Sequence, residues 1–487
     1  MKILTGEQIR ELDKHTIENE PIASIDLMER AANKMADFLE GKYKNKFYAK
    51  FVFLIGKGNN GGDGLALARI MSEKGYSCRV ILFFDKESLN ENCKKNFEKL
   101  PQKVSVLYKE EKIGAELILP NEIIVDAIFG SGLKDDLSES LLKDIKLINR
   151  LRNYRISIDF PTGMKSEFGN NYQKTFHADL TLVLQIPKLA FLLPEAGSAC
   201  GTFAIININL NKTYIFNAQT DLHYVDNKYI INNLKVRRKF CDKSQFGHAL
   251  LIVGSEGMAG AAFLSAGGAL RSGCGYVTTL LPEKYVASFA SKYPSSLYIN
   301  EIQDDFEKYD AIGIGCGLGQ NSKSVETMEK LLTNYHKPII FDADAINILA
   351  QNRKFLEIMP KNSIITPHLG ELERLIGQWR DEEEKFNNII DFAQQYSVNM
   401  LIKGAHTMIC TPTGKIFFNS TGTPFMAKAG SGDVLTGLIT GLTARGYDPT
   451  NAAILGAYFH GLAGEEAAKH ISGESFNSAE LINFIKI

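Results

Sequence analysis

Twice along the chain, short apolar runs alternate with stretches of helical spacing, and this alternation limits the fold more than any other feature. The first set comprises Phe51 to Ile55, Cys78 to Phe84, Ile123 to Asp126, Ile156 to Asp159, Leu180 to Leu184 and Thr202 to Ile208. The second comprises His248 to Val253, Gly275 to Leu281, Ala311 to Gly315, Pro338 to Asp342, Ser363 to Thr366 and Met400 to Ile402. Strands that are apolar throughout are buried on both faces, and strands separated by helices pair in parallel. The expected class is α/β, with two tandem three-layer αβα domains. Residues 7 to 41 read as helices, with Ile9, Leu12, Ile17, Leu27, Met28, Ala31, Ala32, Met35 and Leu39 at helical spacing. Between 211 and 245 Asn, Lys, Tyr and Asp dominate and no period survives. The expected division is a first domain over 1–212, a linker over 213–239 and a second domain over 240–487.

Composition narrows the function classes. A chain of 487 residues is too long for one ordinary core. A formal charge of -1 gives no support to a nucleic-acid or acidic-membrane partner, and the basic run Lys235 to Lys239 reads as a solvated face. The seven cysteines are scattered without a C-x-x-C pair, which suits free thiols in a reducing compartment. Met1 to Lys14 is charged and lacks an apolar signal core. The longest apolar stretch, Leu180 to Pro194, is broken by Gln185, Pro187 and Lys188, too short and interrupted to span a bilayer. A cytoplasmic, homo-oligomeric protein acting on small molecules is expected.

Chemistry concentrates at strand ends. Leu54 to Arg69 carries Gly56, Gly58 and Gly61 in the register of a dinucleotide-binding turn, and Asp85 stands about where a ribose-binding acid is sought. Yet the same loop holds Asn59, Asn60 and Asp63, side chains where a pyrophosphate turn uses backbone. Asp126 and Asp159 each end an apolar run, followed by Gly130-Ser131-Gly132 and Pro161-Thr162-Gly163. Each Asp alone could simply cap a helix. Together the three strand ends point into one crevice above the sheet.

These motifs, with the helical opening from Leu4 to Ala32 and the Ala-Asp-Leu-Thr…Pro-Lys stretch ending at Lys188, resemble the NAD(P)H-hydrate epimerase family, the N-terminal half of YjeF-type proteins, over about residues 1 to 212. The resemblance implies a Rossmann-like domain. In it Asn59, Asn60, Gly61, Gly62 and Asp63, with Gly130, Ser131, Gly132, Leu133, Lys134, Asp135 and Asp136, hold the substrate phosphates and ribose. It further implies that Asn60, Asp126 and Thr162 bind a potassium ion through oxygen, and that Asp159 contacts the reacting nicotinamide ring as a catalytic group. Thr162 stands where Ser is usual, and its hydroxyl serves the same purpose.

In the second half, Ala427 to Leu442 places Gly430, Ser431 and Gly432 before Asp433 and an apolar helix. A glycine turn feeding a helix offers free N–H groups to a transferring phosphoryl group, and Asp433 is placed as base toward a substrate hydroxyl. The bland alternative is an Asp cap after a flexible turn. Asp342 and Asp344 end another apolar run, and Thr366 reads as an N-cap with Pro367 at the first helical position, followed by His368, Glu371 and Glu373. Gly317 and Gly319 mark a glycine crossing. This set resembles the ADP-dependent NAD(P)H-hydrate dehydratase family, of ribokinase-like fold, over about residues 240 to 475. The resemblance implies that Lys403, Gly404, Ala405, His406, Thr407 and Gly432 bind the adenine nucleotide, and that Ala261, Gly319, His368 and Asp433 line the hydrated-nicotinamide side. ADP as phosphoryl donor and magnesium follow, with Glu371 a candidate to organise the metal through water. Cys316 stands where Pro is usual, and Lys428-Ala429 precede Gly430 where Thr-Gly or Gly-Gly is usual.

The combined expectation is repair of hydrated NADH and NADPH. The first domain interconverts the R and S epimers, and the second dehydrates the S epimer with ADP, releasing AMP and phosphate. Two other readings stay open at this level: a nicotinamide-dependent oxidoreductase fused to a vitamin- or sugar-type kinase, and a nucleotide-binding module without chemistry. Asp433 argues against the last, since an inert site has no use for a base.

Overall fold

A computed structural model describes residues 1–44, 48–109, 117–133, 136–302 and 305–487. The chain forms two compact units, Lys2–Thr220 and Asp221–Ile487, the latter including Met1.

The first unit holds seven strands: β1 Lys50–Ile55, β2 Ser77–Leu82, β3 Ser105–Tyr108, β4 Glu122–Ala127, β5 Arg155–Ile158, β6 Leu180–Leu184 and β7 Thr202–Ile206. They pair in the order β3-β2-β1-β4-β5-β6-β7, all parallel. Alternate residues serve opposite faces, as the pleat requires. Phe51, Phe53 and Ile55 pack with Leu12, Ala32, Met35 and Leu67 of the helices Gly6–Asn19, Ser24–Tyr43 and Asn59–Glu73. Val52, Leu54 and Ile124 pack with Leu141, Ile145 and Ile148 of the helix Glu139–Asn149. The sheet is thus sandwiched between helices, which is why its strands read as unbroken apolar runs. The first helix starts at a capping box in which Thr5 accepts from Gln8 N–H and the Gln8 side chain accepts in return.

The second unit has ten strands: β8 Leu222–Val225, β9 His248–Ile252, β10 Tyr276–Leu280, β11 Leu297–Ile299, β12 Ala311–Ile314, β13 Ile339–Phe341, β14 Ile364–Ile365, β15 Asn399–Ile402, β16 Met408–Cys410 and β17 Ile416–Asn419. Their order is β11-β10-β9-β12-β13-β14-β15-β16-β17-β8. Pairing is parallel from β11 to β15, antiparallel through β16 and β17, and parallel again to β8. Neighbouring residues of β9, Leu250 and Leu251, are both buried, so this sheet too is covered on both faces.

Two helices of small residues, Ala259–Arg271 and Ser431–Ala444, lie in close contact. A Cβ on Gly437 would meet the Ser265 carbonyl oxygen at 1.8 Å, and one on Gly268 would meet that of Val434 at 2.2 Å. These glycines let the two backbones touch, and the touch fixes where the second helix begins.

The structure corrects the expected linker over 213–239. The helix Lys212–Asn217, strand β8 and the helix Asn227–Asn233 fill most of it, and the division between units falls at Thr220. Only Val225 and Ile230 of these elements are buried, so an edge strand and short surface helices pass for loop in composition. No helix among the described residues is long and apolar enough to cross a membrane.

Candidate functional site

In the first unit, β1 pairs with β2 on one side and β4 on the other, so the connections diverge there and open a crevice at the strand carboxyl ends. Gly56 leaves β1 so close to β4 that an added Cβ would meet the Ile128 carbonyl oxygen at 1.8 Å. Gly61 in turn lies on Gly56, where a Cβ would stand 2.0 Å from its oxygen. Gly56 and Gly61 are therefore packing requirements of the crevice floor.

Asp126 lies one residue before the end of β4, with no exposure. Its carboxylate accepts from Thr162 Oγ1 at 2.7 Å, Thr162 N–H at 2.8 Å, Ser157 Oγ at 3.0 Å and Ile128 N–H at 3.2 Å. Thr162 Oγ1 also accepts from Phe129 N–H at 3.0 Å. Burial outweighs these hydrogen bonds and pushes the Asp126 carboxyl up to about 6. Among the described residues no lysine, arginine or histidine forms an ion pair with it. Asn60 is buried beside Gly130, and its Nδ2 has no partner among the described residues. Asn59 Oδ1 accepts from Asn90 Nδ2 at 2.7 Å. The structure thus gathers Asn60, Gly130, Asp126 and Thr162 at one place.

Asp159 follows β5 in a left-handed backbone conformation, φ 58°, which costs energy in a residue other than glycine. Its Oδ1 accepts from Leu184 N–H at 3.2 Å and lies 3.4 Å from Lys188 Nζ. Asp63 and Asp13 complete this second cluster. Burial and then the Asp159 charge push Asp63 well above the usual carboxylate range, and the same causes push Asp13 up to about 6.

Asp136 stands apart from both clusters, exposed and paired with Lys174 at 2.8 Å and Lys165 at 3.8 Å. It lines a recess of about 340 Å³ with Leu133, Gly163 and Asn170. Ser131 is half-buried and Gly132 exposed, while Lys134 and Asp135 lie outside the described residues.

In the second unit the groups converge from the carboxyl ends of β12, β13 and β15. Asp342, 1% exposed, accepts from Lys403 Nζ at 2.5 Å, Thr436 Oγ1 at 2.6 Å, Ala343 N–H at 2.8 Å and Cys316 Sγ at 3.5 Å. The glycine turn enters the helix Ser431–Ala444 through Gly430 at φ 85°, with no side chain capping the first turn. Asp433 sits in that turn. Burial and the neighbouring Asp342 raise its carboxyl, while the Cys316 thiol and Lys403 oppose the rise. Gly432 stands against Lys403, where an added Cβ would fall 3.3 Å from Nζ. The ammonium of Lys403 is therefore committed to Asp342 at the edge of the turn.

Ala261 lies against Gly317, whose φ is 61°, and Gly319 N–H donates to Asp344 Oδ2 at 2.8 Å. Gly404 and Ala405 are exposed in the β15–β16 loop. There Thr407 Oγ1 donates to Gly404 O at 3.4 Å, and His406 Nδ1 lies 3.3 Å from Asn419 O.

One sequence expectation changes here. The helix cap is His368 and not Thr366: the helix is Leu369–Ile376, His368 Nδ1 accepts from Gly370 N–H at 3.0 Å, and His368 N–H donates to Glu371 Oε2 at 2.9 Å. Thr366 is buried and turns its hydroxyl to the Phe341 carbonyl. Glu371, 5% exposed, is the reciprocal half of this capping box.

Three residues were given no role by the sequence reading. Lys188 and Asp13 fall within stretches that carry the family resemblance, one after an apolar strand and one on an amphipathic helix, but neither is singled out there. His460 sits within the helix Pro449–Ala467, 3.3 Å from Ser431 Oγ, and burial pushes its imidazole down to about 4. Lys428 donates to the carbonyls of Glu474 and Phe476, which explains a lysine before the glycine turn.

The family model for NAD(P)H-hydrate dehydratase matches residues 249–486, and that for the YjeF-related protein N-terminus matches 24–190. The bifunctional NAD(P)H-hydrate repair enzyme Nnr of Moorella thermoacetica is 30% identical, over 100% of this chain and 96% of its own length. The Escherichia coli enzyme of the same name is 27% identical over 90% of this chain and 84% of its own. Among solved structures, the ADP/ATP-dependent NAD(P)H-hydrate dehydratase of Bacillus subtilis, co-crystallized with ATP/Mg2+, is 28% identical over 54% of this chain and 96% of its own, with a TM-score of 0.47. With both halves matched and a relative aligned from end to end, the chain belongs to the family of bifunctional NAD(P)H-hydrate repair enzymes.

Proposed function

We propose that this chain repairs hydrated NADH and NADPH. The first unit epimerises the hydrate, and the second dehydrates the S epimer at the expense of ADP or ATP. The observation that carries the second half is Asp433, a partly buried carboxylate in the uncapped first turn of a helix.

Hydroxide is a poor leaving group, so the hydroxyl on the hydrated carbon must first be esterified. Asp433 takes its proton as the oxygen attacks the terminal phosphorus of the donor. The N–H groups of the first turn, aimed along the helix dipole, stabilise the charge on the transferring group. Phosphate then departs with the C–O electron pair, pushed by the ring nitrogen. Loss of a proton from the adjacent carbon restores the double bond. Magnesium bound with the nucleotide would screen its phosphates, and because this ion keeps water and phosphate ligands it demands few protein groups.

In the first unit, Asn60, Asp126 and Thr162 suit a potassium ion in charge and donor type. Asp126 is a buried carboxylate without a cationic partner among the described residues. Asn60 has an unpartnered amide that, turned end for end, presents its oxygen. A bound potassium would neutralise Asp126 and fix the Asn60 and Thr162 loops against each other. Asp159 faces the ring, and Asp63 with the Gly130–Leu133 turn holds the rest of the dinucleotide.

The test is regeneration of dihydronicotinamide absorbance from mixed-epimer NADPH hydrate with ADP and magnesium. Wild type should convert both epimers. Asp433→Asn should lose about 10²-fold or more in dehydration while still interconverting epimers. Consumption of nucleotide with a phosphorylated product retained, and no rise in absorbance, would make the second unit a kinase.

A further inference from the structure

We propose that Lys188 is a positioning residue for epimerisation, its buried ammonium holding the Asp159 carboxylate in place against the hydrated ring. This rests on the epimerase reading above.

Lys188 is 2% exposed, and its ammonium sits 3.4 Å from Asp159 Oδ1 and 5.5 Å from the centroid of the Phe160 ring. Lysine is almost never this buried unless paired. Leu184 N–H donates to the same carboxylate oxygen, so Asp159 is gripped by a charge and a backbone dipole. The grip accounts for a non-glycine residue tolerated at φ 58°.

The neighbourhood makes that cation decisive. Asp13 from the helix Gly6–Asn19 and Asp63 from the helix Asn59–Glu73 share the site. The Cys93 thiol, from the helix Glu91–Glu98, lies beside Asp63, and burial pushes it up to about 12. The Lys188 ammonium acts on Asp13 as well as on Asp159, and contact geometry gives it to Asp159. A pair kept only for stability is a weak explanation, because apolar replacements often match or exceed buried ion pairs in stability.

The hydrated carbon bears both a hydroxyl and the ring nitrogen. Asp159 takes the hydroxyl proton, and the C–N bond breaks with its pair staying on nitrogen, conjugated to the ring carboxamide. The carbon becomes an aldehyde. Rotation presents its other face, the nitrogen pair re-forms the bond, and Asp159 returns the proton to oxygen. Nothing is gained or lost, so no co-reactant is needed. Lys188 acts through Asp159 by fixing its direction and balancing its charge.

The experiment compares full-length wild type, Lys188→Ala and Lys188→Arg for conversion of the R hydrate above the spontaneous rate. Thermal unfolding and dehydration of the S hydrate serve as fold controls. Lys188→Ala should lose at least about tenfold in epimerase kcat with KM within about twofold. Lys188→Arg should recover part of the loss, and propylammonium added to Lys188→Ala should restore part of kcat. The proposal is overturned if Lys188→Ala stays within about twofold of wild type in kcat. It is equally overturned if the loss answers neither to arginine nor to added amine. Wild type that dehydrates S hydrate but never accelerates R-to-S conversion would sink the epimerase reading itself, before any variant is compared.

Discussion

Replacing Asp342 by Asn tests how the second site is held together. Its carboxylate accepts from Lys403, Thr436, Ala343 and Cys316. Asn keeps one acceptor oxygen and turns a donor amide toward donors. The gravest effect falls on Lys403, whose ammonium loses a partner at 2.5 Å. Breaking a buried ion pair from one side costs about 3–5 kcal/mol. Lys403 is 24% exposed, so water softens the loss, and about 3 kcal/mol is expected. At roughly 2–4 °C per kcal/mol for a domain of this size, melting should fall by about 6–12 °C. Calorimetry on the full chain reads this directly. The double variant Asp342→Asn/Lys403→Met removes both charges and should recover most of the loss, since methionine fills the space of the lysine stem. A single variant melting within about 1 °C of wild type would refute the argument, as would a double variant worse than the single. The activity carries its own sign. Asp342 raises the Asp433 carboxyl and Lys403 lowers it, so neutralising Asp342 should move the acid limb of dehydration to lower pH.

Thr162→Val removes a hydroxyl that donates to Asp126 and accepts from Phe129 N–H. The buried groups left unpaired should cost about 2 kcal/mol, read as a melting shift of the first unit. Asp126 has a folded value of about 6 above its ordinary 3.8. Its contribution therefore favours the fold fully below that lower value and is lost as pH rises through the upper one. The variant raises the upper value further, so its deficit should widen above pH ~6; a deficit that narrows there would contradict the assignment. His460→Phe removes the contact with Ser431 Oγ and should lower dehydratase kcat by roughly three- to tenfold. Because burial already holds the imidazole neutral near neutral pH, the shape of the pH profile should not change. A limb near pH ~6.5 that vanishes in the variant would show that His460 titrates there.

What was legible from residues alone follows burial. Strands such as β1 and β9 are covered on both faces, so their composition announces them. β3, β8 and β11 lie at sheet edges, with Tyr108, Leu297 and Tyr298 exposed, and no apolar run marks them. The antiparallel β16 and β17 break the strand–helix rhythm that made the parallel strands visible. Asp126 and Asp159 could be found because a carboxylate ending an apolar run is costly without a purpose. Lys188 and Asp13 reach the same place from elements distant in sequence, and only the fold brings them to Asp159. His460 hides among the apolar residues of a buried helix. The capping role of Glu371 was hidden because the residue that begins its helix is His368, three positions earlier, and not Thr366.

The backbone contact between the helices Ala259–Arg271 and Ser431–Ala444 has an evolutionary consequence. Every single-base change of a glycine codon that still encodes an amino acid, apart from silent ones, adds at least a Cβ. At Gly437 that atom would fall on the Ser265 carbonyl, and at Gly268 on that of Val434. Neither position touches the reacting groups, yet lineages should find almost no viable neighbour there. In a survey of descendants these glycines should be as invariant as Asp433, and their constancy would record how close two helices must lie, not what the enzyme does with its substrate.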